Sequence, residues 1–312
     1  MTGLTRRTEH PLAHLDPELI KSAQSFARDS KSDRTRTAYR TDWAIFEVWC
    51  ESKKLSCYPA SPETVALFLT DMAKKGRKVS TLRRYVVSIS QGHKAQGIQE
   101  PPTKSHAVKE VLKGIRNQLG VRPNKKTAMT VDILWLMVKG IPRTRSGLRD
   151  RALLLLGFAG CFRRSEIVSL MAEDVEFNTD GMTVLLRSSK TDQERAGLLK
   201  GIKYGGRSET CPVRALKAWM DVSGIRSGRL FELSDRSVAR IVKRHALRIG
   251  LDPHSYGGHS LRRGFATEAA RKGKSRRSIR KQGGWKEGSS VLEGYIDDGQ
   301  IFEDNASDGI GL

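Results

Sequence analysis

The sequence predicts a mainly α-helical protein of two domains, with a small antiparallel β-sheet inside the second domain. Apolar residues recur every three or four positions over most of the chain, which is the period of an amphipathic helix. Residues 175–204 instead hold short alternating, β-rich pieces, which are typical of strands. Residues 120–126 combine glycine, proline, asparagine and three cations without periodicity, which indicates a linker. A length of 312 residues is sufficient for two domains.

The first domain is predicted to follow a flexible N-terminal arm. Residues 1–30 have a short helical pattern from Pro17 to Arg28 and little else to fix them. Residues 31–119 hold four helical patterns, which predict a helical domain. The first pattern begins at Ser32 and places its aromatic residues on one face of a helix: Tyr39, Trp43, Phe46 and Trp49.

Helix-start signals mark the other three helices of this domain. Ser61 followed by Pro62 predicts a cap and the first position of the second helix. We predict that Ser80 caps the third helix, and that Thr103 or Ser105 begins the fourth.

The second domain, residues 127–312, is predicted to place a three-stranded sheet among helices. The predicted helices are Val131–Lys139, Gly147–Gly160, Ser165–Ala172, Cys211–Val222, Ser234–Ile249, Ser260–Lys272 and Ser275–Gln282. The predicted strands are Val175–Phe177, Met182–Arg187 and Leu198–Tyr204, with a polar turn at 188–196 between the last two.

The charge of the chain is strongly positive and unevenly distributed. There are 56 Lys and Arg residues against 34 Asp and Glu, a formal net charge of +22. Residues 51–130 hold 16 basic and 5 acidic side chains, and residues 236–281 hold 14 and 2, whereas the last 31 residues hold one and seven. Because such an excess repels itself unless a polyanion offsets it, this distribution predicts a nucleic-acid ligand. A membrane surface fits less well, since no basic amphipathic helix has a bulky aromatic face.

Several other classes of protein are disfavoured by what the sequence lacks. The longest apolar run, residues 152–162, is 11 residues long, about half of a membrane-spanning helix. No apolar segment follows the first arginines, as a secretion signal would require. The four cysteines form no C-x-x-C pair: Cys50, Cys57, Cys161 and Cys211. We therefore expect a cytoplasmic, nucleoid-associated protein with no metal, no cofactor and no membrane.

Four motifs of the second domain contain residues that could carry chemistry. Arg163 and Glu166 lie three apart at a helix junction and, taken alone, predict a local salt bridge. Lys190 lies in the polar turn, where a lysine is normally a solvated charge. His259 and Arg262 share one helical face, a pattern that serves either as a phosphate site or as a helix cap.

The fourth motif is a double glycine before Trp285, with Tyr295 ten residues later; a single tyrosine usually indicates packing.

The order Arg, Lys, His-x-x-Arg, Trp, Tyr in one domain resembles the tyrosine recombinase family of the phage-integrase type, and it resembles the Cre-like members of that family most. The first arginine box of that family, Arg-x-Ser/Ala-Glu-Ile/Leu, is matched by residues 163–167. The Cre-like members carry tryptophan where many others carry a second histidine. The resemblance covers roughly residues 32–297, and the spacing from Trp285 to Tyr295 is one residue longer than the family pattern.

The resemblance implies a fold and an activity. The fold would be a C-shaped clamp around DNA, in which residues 31–119 form a SAM-like core-binding domain and residues 127–312 form the catalytic domain. The activity would be that of a DNA strand transferase that needs neither metal nor ATP, and it would use six residues: Arg163, Lys190, His259, Arg262, Trp285 and Tyr295.

The resemblance also implies a role for each of these residues, and the chemistry of the phosphodiester explains those roles. Two guanidiniums would bind the non-bridging oxygens, where negative charge develops. Tyr295 would attack the phosphorus and form a 3′-phosphotyrosine, with His259 as its acid/base neighbour. Lys190 would protonate the leaving 5′-oxygen, and Trp285 would donate its indole N–H to the phosphate. Glu166 would orient this set rather than react.

DNA contacts are predicted at basic residues of both domains: Lys78, Arg83, Arg84 and Lys94 in the first, and Arg236, Arg240, Lys243 and Arg244 in the second. Most of these are expected to bind phosphates, with Arg236 as a reader of base edges. The resemblance implies double-stranded DNA with paired inverted-repeat recombination sites, and a homotetramer on that DNA. The sequence leaves open whether the free protein is a monomer and whether accessory proteins take part.

Three alternatives remain open at the level of the sequence. A DNA-binding protein of the same fold without catalysis would not need the tyrosine. A type IB topoisomerase or a telomere-resolving enzyme would share the phosphotyrosine chemistry. A metal-dependent nuclease is disfavoured, because no group of Asp, Glu and His stands out in the basic domain.

Overall fold

The computed structural model describes residues 16–120, 126–187, 197–303 and 307. The chain divides into two compact units, Met1–Pro123 and Asn124–Leu312. The expected linker and N-terminal arm are covered only in part, because residues 121–125 and 1–15 lie outside the described residues. In the part that is described, no helix is both long enough and apolar enough to cross a membrane.

The N-terminal unit consists of helices. They are α1 (Pro17–Asp29), α2 (Asp33–Ser52), α3 (Pro62–Lys74), α4 (Val79–Ala95) and α5 (His106–Leu119). Serines cap α2, α3 and α5, because the side chains of Ser32, Ser61 and Ser105 each accept the backbone N–H three residues later. The prediction of Ser80 as a cap is wrong. Helix α4 begins at Val79, so Ser80 already lies in the first turn of that helix.

Aromatic side chains of α2 form the core of the N-terminal unit. Phe46 and Trp49 pack edge-on against Phe68 of α3, with ring centroids 5.1 Å and 5.4 Å from it. Asp42 is buried on the same helix and accepts hydrogen bonds of 2.6 Å and 2.8 Å from the guanidinium of Arg84. This ion pair joins α2 to α4 and engages one of the predicted DNA-binding arginines within the unit.

The C-terminal unit places a small sheet among helices. Its helices are α6 (Val131–Lys139), α7 (Arg145–Ala159), α8 (Arg164–Ser169), α9 (Pro212–Ser223), α10 (Asp235–Arg248), α11 (Gly258–Arg271), α12 (Arg276–Gly283) and α13 (Ser290–Gly299). Its strands are β1 (Val175–Phe177), β2 (Gly181–Leu186) and β3 (Leu198–Lys203), in the order β1-β2-β3 and antiparallel throughout. Helix α8 ends at Ser169, before the predicted Ala172, because Leu170 is extended. The predicted fold class, mainly helical with a small antiparallel sheet, is confirmed.

Helix α13 has no counterpart among the predicted elements. Its apolar residues Leu292 and Ile296 are buried against Ala266 and Ala270 of α11 and Ile279 of α12. This small cluster holds the last described helix of the chain against the helix that carries the His-x-x-Arg motif.

Candidate active site

Arg163 lies at the junction of α7 and α8, where Glu166 holds it. The backbone N–H of Arg163 donates to Glu166 Oε2 at 2.8 Å, and Arg163 Nη1 donates to Oε1 of the same carboxylate. Glu166 is only 4% exposed. The salt bridge that the spacing predicts is therefore present, and it fixes the direction of the guanidinium as a helix begins.

Arg262 projects from α11 into the same region. Its Nη1 donates to the carbonyl oxygen of Cys161 at 2.6 Å, and its Cζ lies 3.9 Å from the ring centroid of Trp285. Its Nη2 is buried and has no hydrogen-bond partner among the described residues. Burial lowers the pKa of Arg262, yet a guanidinium remains charged at neutral pH. A buried, charged donor without an acceptor is costly, and an anionic oxygen would satisfy it.

Trp285 is held against Arg262 by the double glycine before it. Gly283 is the last residue of α12, and a Cβ built there would overlap the indole ring of Trp285. Gly284 follows with φ +64°, a left-handed conformation that ends the helix and that glycine adopts without strain. The two glycines thus allow the chain to turn sharply and the ring to fold back over the end of α12.

Tyr295 lies on α13, with its ring centroid 6.2 Å from that of Trp285 in an edge-on arrangement. Thr267 of α11 donates to the carbonyl oxygen of Tyr295 at 3.2 Å. Burial raises the pKa of Tyr295, and the guanidiniums of Arg263 and Arg262 oppose that rise. The phenol is therefore protonated at neutral pH and needs a proton acceptor if it is to act as a nucleophile.

Arg263, which the sequence did not single out, ties α13 to the start of the C-terminal unit. Its Nη1 donates to the carbonyl oxygen of Lys126 at 2.5 Å, and its Nη2 donates to Asp298 at 2.8 Å. Its Cζ lies 6.0 Å from the ring centroid of Tyr295. Arg263 therefore links α11, the helix of the His-x-x-Arg motif, directly to α13, the helix of the tyrosine.

His259 lies in the first turn of α11, three residues before Arg262, and its side chain is exposed. Residues three apart share a helical face, so His259 lies beside the arginine at the solvent edge of the site. The predicted lysine, Lys190, lies between β2 and β3 at residues 188–196, outside the described residues.

Five of the predicted site residues therefore lie on elements that converge on one region. Arg262 is close enough to Arg163, Glu166 and Tyr295 for their charges to affect its ionisation. These residues are separated by up to 132 positions in the chain, and α11 brings them together by contacting both α7 and α13.

The predicted DNA contacts differ in how they are engaged. Lys78, Arg83 and Lys94 are exposed on or beside α4. On α10, a row of exposed arginines lies four residues apart, opposite the buried face of the helix: Arg236, Arg240 and Arg244. Lys243 is half-buried on the same helix.

Two of these cations already have protein partners. Arg244 donates to Asp150, a buried carboxylate that also binds His245 and Arg149. Arg240 donates to the hydroxyl of Ser237 at 3.0 Å. As with Arg84, which is bound to Asp42, a DNA phosphate would have to bind these guanidiniums alongside their protein partners or displace those partners.

A second lysine near the site was also missed. Lys200 of β3 is 1% exposed, and it lies in the alternation that buries Ile202 and exposes Leu199 and Gly201. Counting by two from Ile202 puts Lys200 on the inner face of the strand, but the strand itself contains no residue that explains why a lysine is buried there.

Comparison with known proteins gives a consistent result. A family model described as the phage integrase family matches residues 129–300. The integrase/recombinase xerD homolog of Selenomonas ruminantium is 39% identical over 292 residues, covering 89% of this chain and 85% of the relative. Recombinase cre of Escherichia phage P1 is 25% identical, covering 92% of this chain and 91% of the relative.

Solved structures share the fold at low sequence identity. A lambda integrase dimer bound to a COC′ core site superposes with a TM-score of 0.60 at 15% identity, covering 90% of this chain and 94% of that one. XerH recombinase bound to palindromic difH substrate gives a TM-score of 0.58 at 18% identity, covering 78% of this chain and 69% of that one.

Proposed function

The chain belongs to the phage integrase family and is a site-specific recombinase of the tyrosine type, and on this premise we propose that Tyr295 cleaves and rejoins duplex DNA through a 3′-phosphotyrosine intermediate. The substrate is double-stranded DNA, as in the solved structures of similar fold that are bound to DNA. Energy stored in the protein–DNA bond makes ATP unnecessary.

The observation that carries this proposal is Nη2 of Arg262, which has no hydrogen-bond partner in the part of the chain that the structure describes. It is buried beside Trp285 and within electrostatic reach of Tyr295. A non-bridging phosphate oxygen supplies the missing acceptor. Arg163, held by Glu166, provides a second guanidinium for the same phosphate. Two fixed guanidiniums stabilise the extra negative charge of the pentacovalent transition state, and they do so with the bidentate geometry that a lysine lacks.

The covalent step exchanges one phosphoester for another. The Tyr295 oxygen forms a bond to phosphorus, and the bond from phosphorus to the 5′-oxygen of the next nucleotide breaks. His259 accepts the phenol proton, and Lys190 donates a proton to the leaving 5′-oxygen. The indole N–H of Trp285 donates to a phosphate oxygen. Attack by a 5′-hydroxyl of a second DNA strand reverses these steps, releases the tyrosine and completes strand exchange.

The basic residues of both units bind the phosphates that flank the cleavage site. In the N-terminal unit, the phosphates are bound by the exposed Lys78, Arg83 and Lys94. In the C-terminal unit, they are bound by the arginine row of α10, in which Arg236 also contacts a base edge. Paired inverted-repeat sites would bring four protomers together on DNA, because each of the two sites binds two copies.

A covalent-trapping experiment tests the nucleophile directly. Wild type, Tyr295→Phe and the matched control Tyr204→Phe, a half-buried tyrosine of the same unit, are incubated with fragmented genomic DNA of the source without ATP or added metal. The mixtures are denatured, and the DNA that remains attached to protein is sequenced. We expect adducts at discrete sites with wild type and Tyr204→Phe, and none with Tyr295→Phe.

Other outcomes would favour the alternatives. An adduct that persists in Tyr295→Phe would contradict the assignment. Tight DNA binding by wild type without any adduct would favour a catalytically silent DNA-binding protein of this fold. Adducts accompanied by relaxation of supercoils or hairpin ends, without strand exchange, would favour a type IB topoisomerase-like or telomere-resolving activity.

A further inference from the structure

Among the residues that the structure describes, Lys200 is a buried cation that the proposed chemistry does not use. Lys200 is 1% exposed on β3, and its Nζ donates to the carbonyl oxygen of Gly160 at 2.8 Å. The same Nζ lies 4.3 Å from the ring centroid of Phe162. A lysine almost never becomes fully buried without a reason, because the ammonium loses its hydration and the long side chain loses its freedom.

Lys200 belongs to a set of three side chains that hold one turn from three different elements. Gln282 of α12 donates to the carbonyl oxygen of Ala159 at 3.0 Å. Lys200 of β3 binds the next carbonyl oxygen, that of Gly160, and Arg262 of α11 binds the next, that of Cys161. Three consecutive carbonyls at the end of α7 thus each have their own side-chain donor.

The turn needs such support because of its geometry. Carbonyls at the C-terminal end of a helix lack partners within that helix, and the end carries partial negative charge. Cys161 also has φ 51°, a left-handed conformation that is unfavourable for a residue with a side chain. The next residues lead directly to Arg163 at the start of α8, so the shape of this turn sets where that guanidinium points.

The charges around Lys200 are those of the candidate active site. The groups whose charges affect its ionisation are the Cys161 thiol, the Glu166 carboxylate and the guanidiniums of Arg262 and Arg163. Gln282, the side chain that α12 contributes to this turn, is uncharged. The ammonium therefore lies within the electrostatic field of the two arginines assigned to the phosphate.

We propose that Lys200 is a positioning residue for strand cleavage, a third buried cation that holds the turn 160–163 so that Arg163 and Arg262 face one phosphate. This proposal rests on the proposed function, since it presumes that the two arginines bind the scissile phosphate. Lys200 itself touches neither the DNA nor the tyrosine. Its contribution is to the rate of the covalent step, not to DNA affinity.

Lys200→Met separates this role from a packing role. Methionine has a similar length and no charge, so it fills the same space while it removes the side-chain donor of the Gly160 carbonyl oxygen. Lys203→Met, an exposed lysine on the same strand, is the matched control. For each variant, the melting temperature, the DNA affinity and the single-turnover rate of adduct formation are measured on a site mapped with wild type.

We expect Lys200→Met to remain folded, with a melting temperature somewhat below that of wild type because the Gly160 carbonyl loses its donor, and to bind DNA as wild type does. Adduct formation should slow by about 10- to 100-fold, the loss typical of a small misplacement of reacting groups. Lys203→Met should form the adduct at the wild-type rate. A folded Lys200→Met that cleaves at the wild-type rate would overturn the inference.

The pH dependence of the rate of adduct formation, compared between wild type and Lys200→Arg, tests the charge of Lys200 separately from its packing. Burial lowers the pKa of Lys200 to about 8, so the ammonium is lost as the pH rises through that value. Arginine keeps its charge throughout. We expect the ratio of the wild-type rate to the Lys200→Arg rate to fall between about pH 7 and pH 9, and a constant ratio would contradict a role for the charge.

The experiment distinguishes this inference from the proposed function. If wild type forms no adduct that depends on Tyr295, the proposed function fails and Lys200 has no cleavage step to support. If wild type forms that adduct and Lys200→Met forms it at the same rate, only the inference about Lys200 fails.

Discussion

The guanidinium of Arg262 stacks on the indole of Trp285, with 3.9 Å between Cζ and the ring centroid. The contact places a cation over an aromatic face, and the carbonyl oxygen of Cys161 accepts a 2.6 Å hydrogen bond from Nη1 of the same guanidinium. The other terminal nitrogen, Nη2, is buried and has no hydrogen-bond acceptor among the described residues. An arginine held on two sides and open on the third is organised for an anion before the anion arrives.

Replacing this arginine by lysine should therefore slow cleavage while keeping a positive charge. A lysine ammonium cannot bind Cys161, stack on Trp285 and reach a phosphate oxygen together. We expect Arg262→Lys to lower the single-turnover rate of adduct formation by about 10²–10³, as for loss of a single oxyanion donor. Arg271→Lys, an exposed arginine of the same helix, is the control and should retain the wild-type rate. Equal rates for the two variants would contradict the role of Arg262.

The second prediction concerns pH and His259. Because burial raises the pKa of Tyr295, its phenol stays protonated up to a higher pH than the phenol of an exposed tyrosine would. As the pH rises, a growing fraction of the phenol ionises without help. We expect His259→Asn to cleave far more slowly than wild type at pH 6.5 to 7.5, and the gap to narrow as the pH rises. A gap should remain at about pH 10, the ordinary pKa of tyrosine, because the raised pKa of Tyr295 keeps much of the phenol protonated there.

The control for this series is His254→Asn, an exposed histidine just before α11. It should follow the wild-type pH profile. If His259→Asn is slower than wild type by the same factor at every pH, His259 acts by binding and not by accepting the proton.

The third prediction concerns stability, and it uses the buried carboxylate of Asp150. Burial by itself would raise the pKa of Asp150, but hydrogen bonds from His245 and Arg149 outweigh it and the pKa is lowered from 3.8. The ionised carboxylate therefore stabilises the fold fully above its unfolded-state pKa, and this stabilisation is lost as the pH falls through the lowered folded-state pKa.

Asp150→Asn should thus reduce the free energy of unfolding at pH 7 by about 1–3 kcal/mol, because it removes the ionised acceptor of the buried His245 and of the more exposed Arg149 and Arg244. Asp221→Asn, from an exposed ion pair with Arg226, should change it by less than about 1 kcal/mol. Denaturant titrations at several pH values measure both. The difference between wild type and Asp150→Asn should shrink below about pH 4, and a difference independent of pH would show that the charge is not what stabilises.

The sequence predicted those parts of this molecule whose signals are local. Period and caps located helices such as α2 and α3, and the order of the motifs pointed to Arg163, Arg262, Trp285 and Tyr295. Their roles in the reaction stay predictions, and Lys190 lies outside the described residues.

What the sequence did not indicate depends on packing between distant segments. Helix α13 was missed because only Leu292 and Ile296 are buried in a stretch rich in acids and glycine. Lys200 was missed because a lysine is ordinarily solvated, and only the end of α7, 40 residues earlier, explains its burial. The ion pair of Arg84 was missed for the same reason. Its partner Asp42 lies 42 positions earlier and is a buried acid in an otherwise aromatic core.

The last prediction tests whether the position of Trp285 matters to Arg262. A Cβ at Gly283 would overlap the indole ring, so Gly283→Ala must push that ring away from the end of α12. Because the indole carries the stacked guanidinium, we expect adduct formation to slow by about 10- to 100-fold, as for a small displacement of a catalytic group. The measurement is the single-turnover rate beside the melting temperature.

Gly114→Ala is the matched control, since Gly114 is also helical and a Cβ there meets no atom within 4 Å. Alanine in an open helical position should stabilise the fold by about 0.5–1 kcal/mol and leave the cleavage rate unchanged. A folded Gly283→Ala that cleaves at the wild-type rate would mean that Arg262 keeps its direction without the indole, through Cys161 alone.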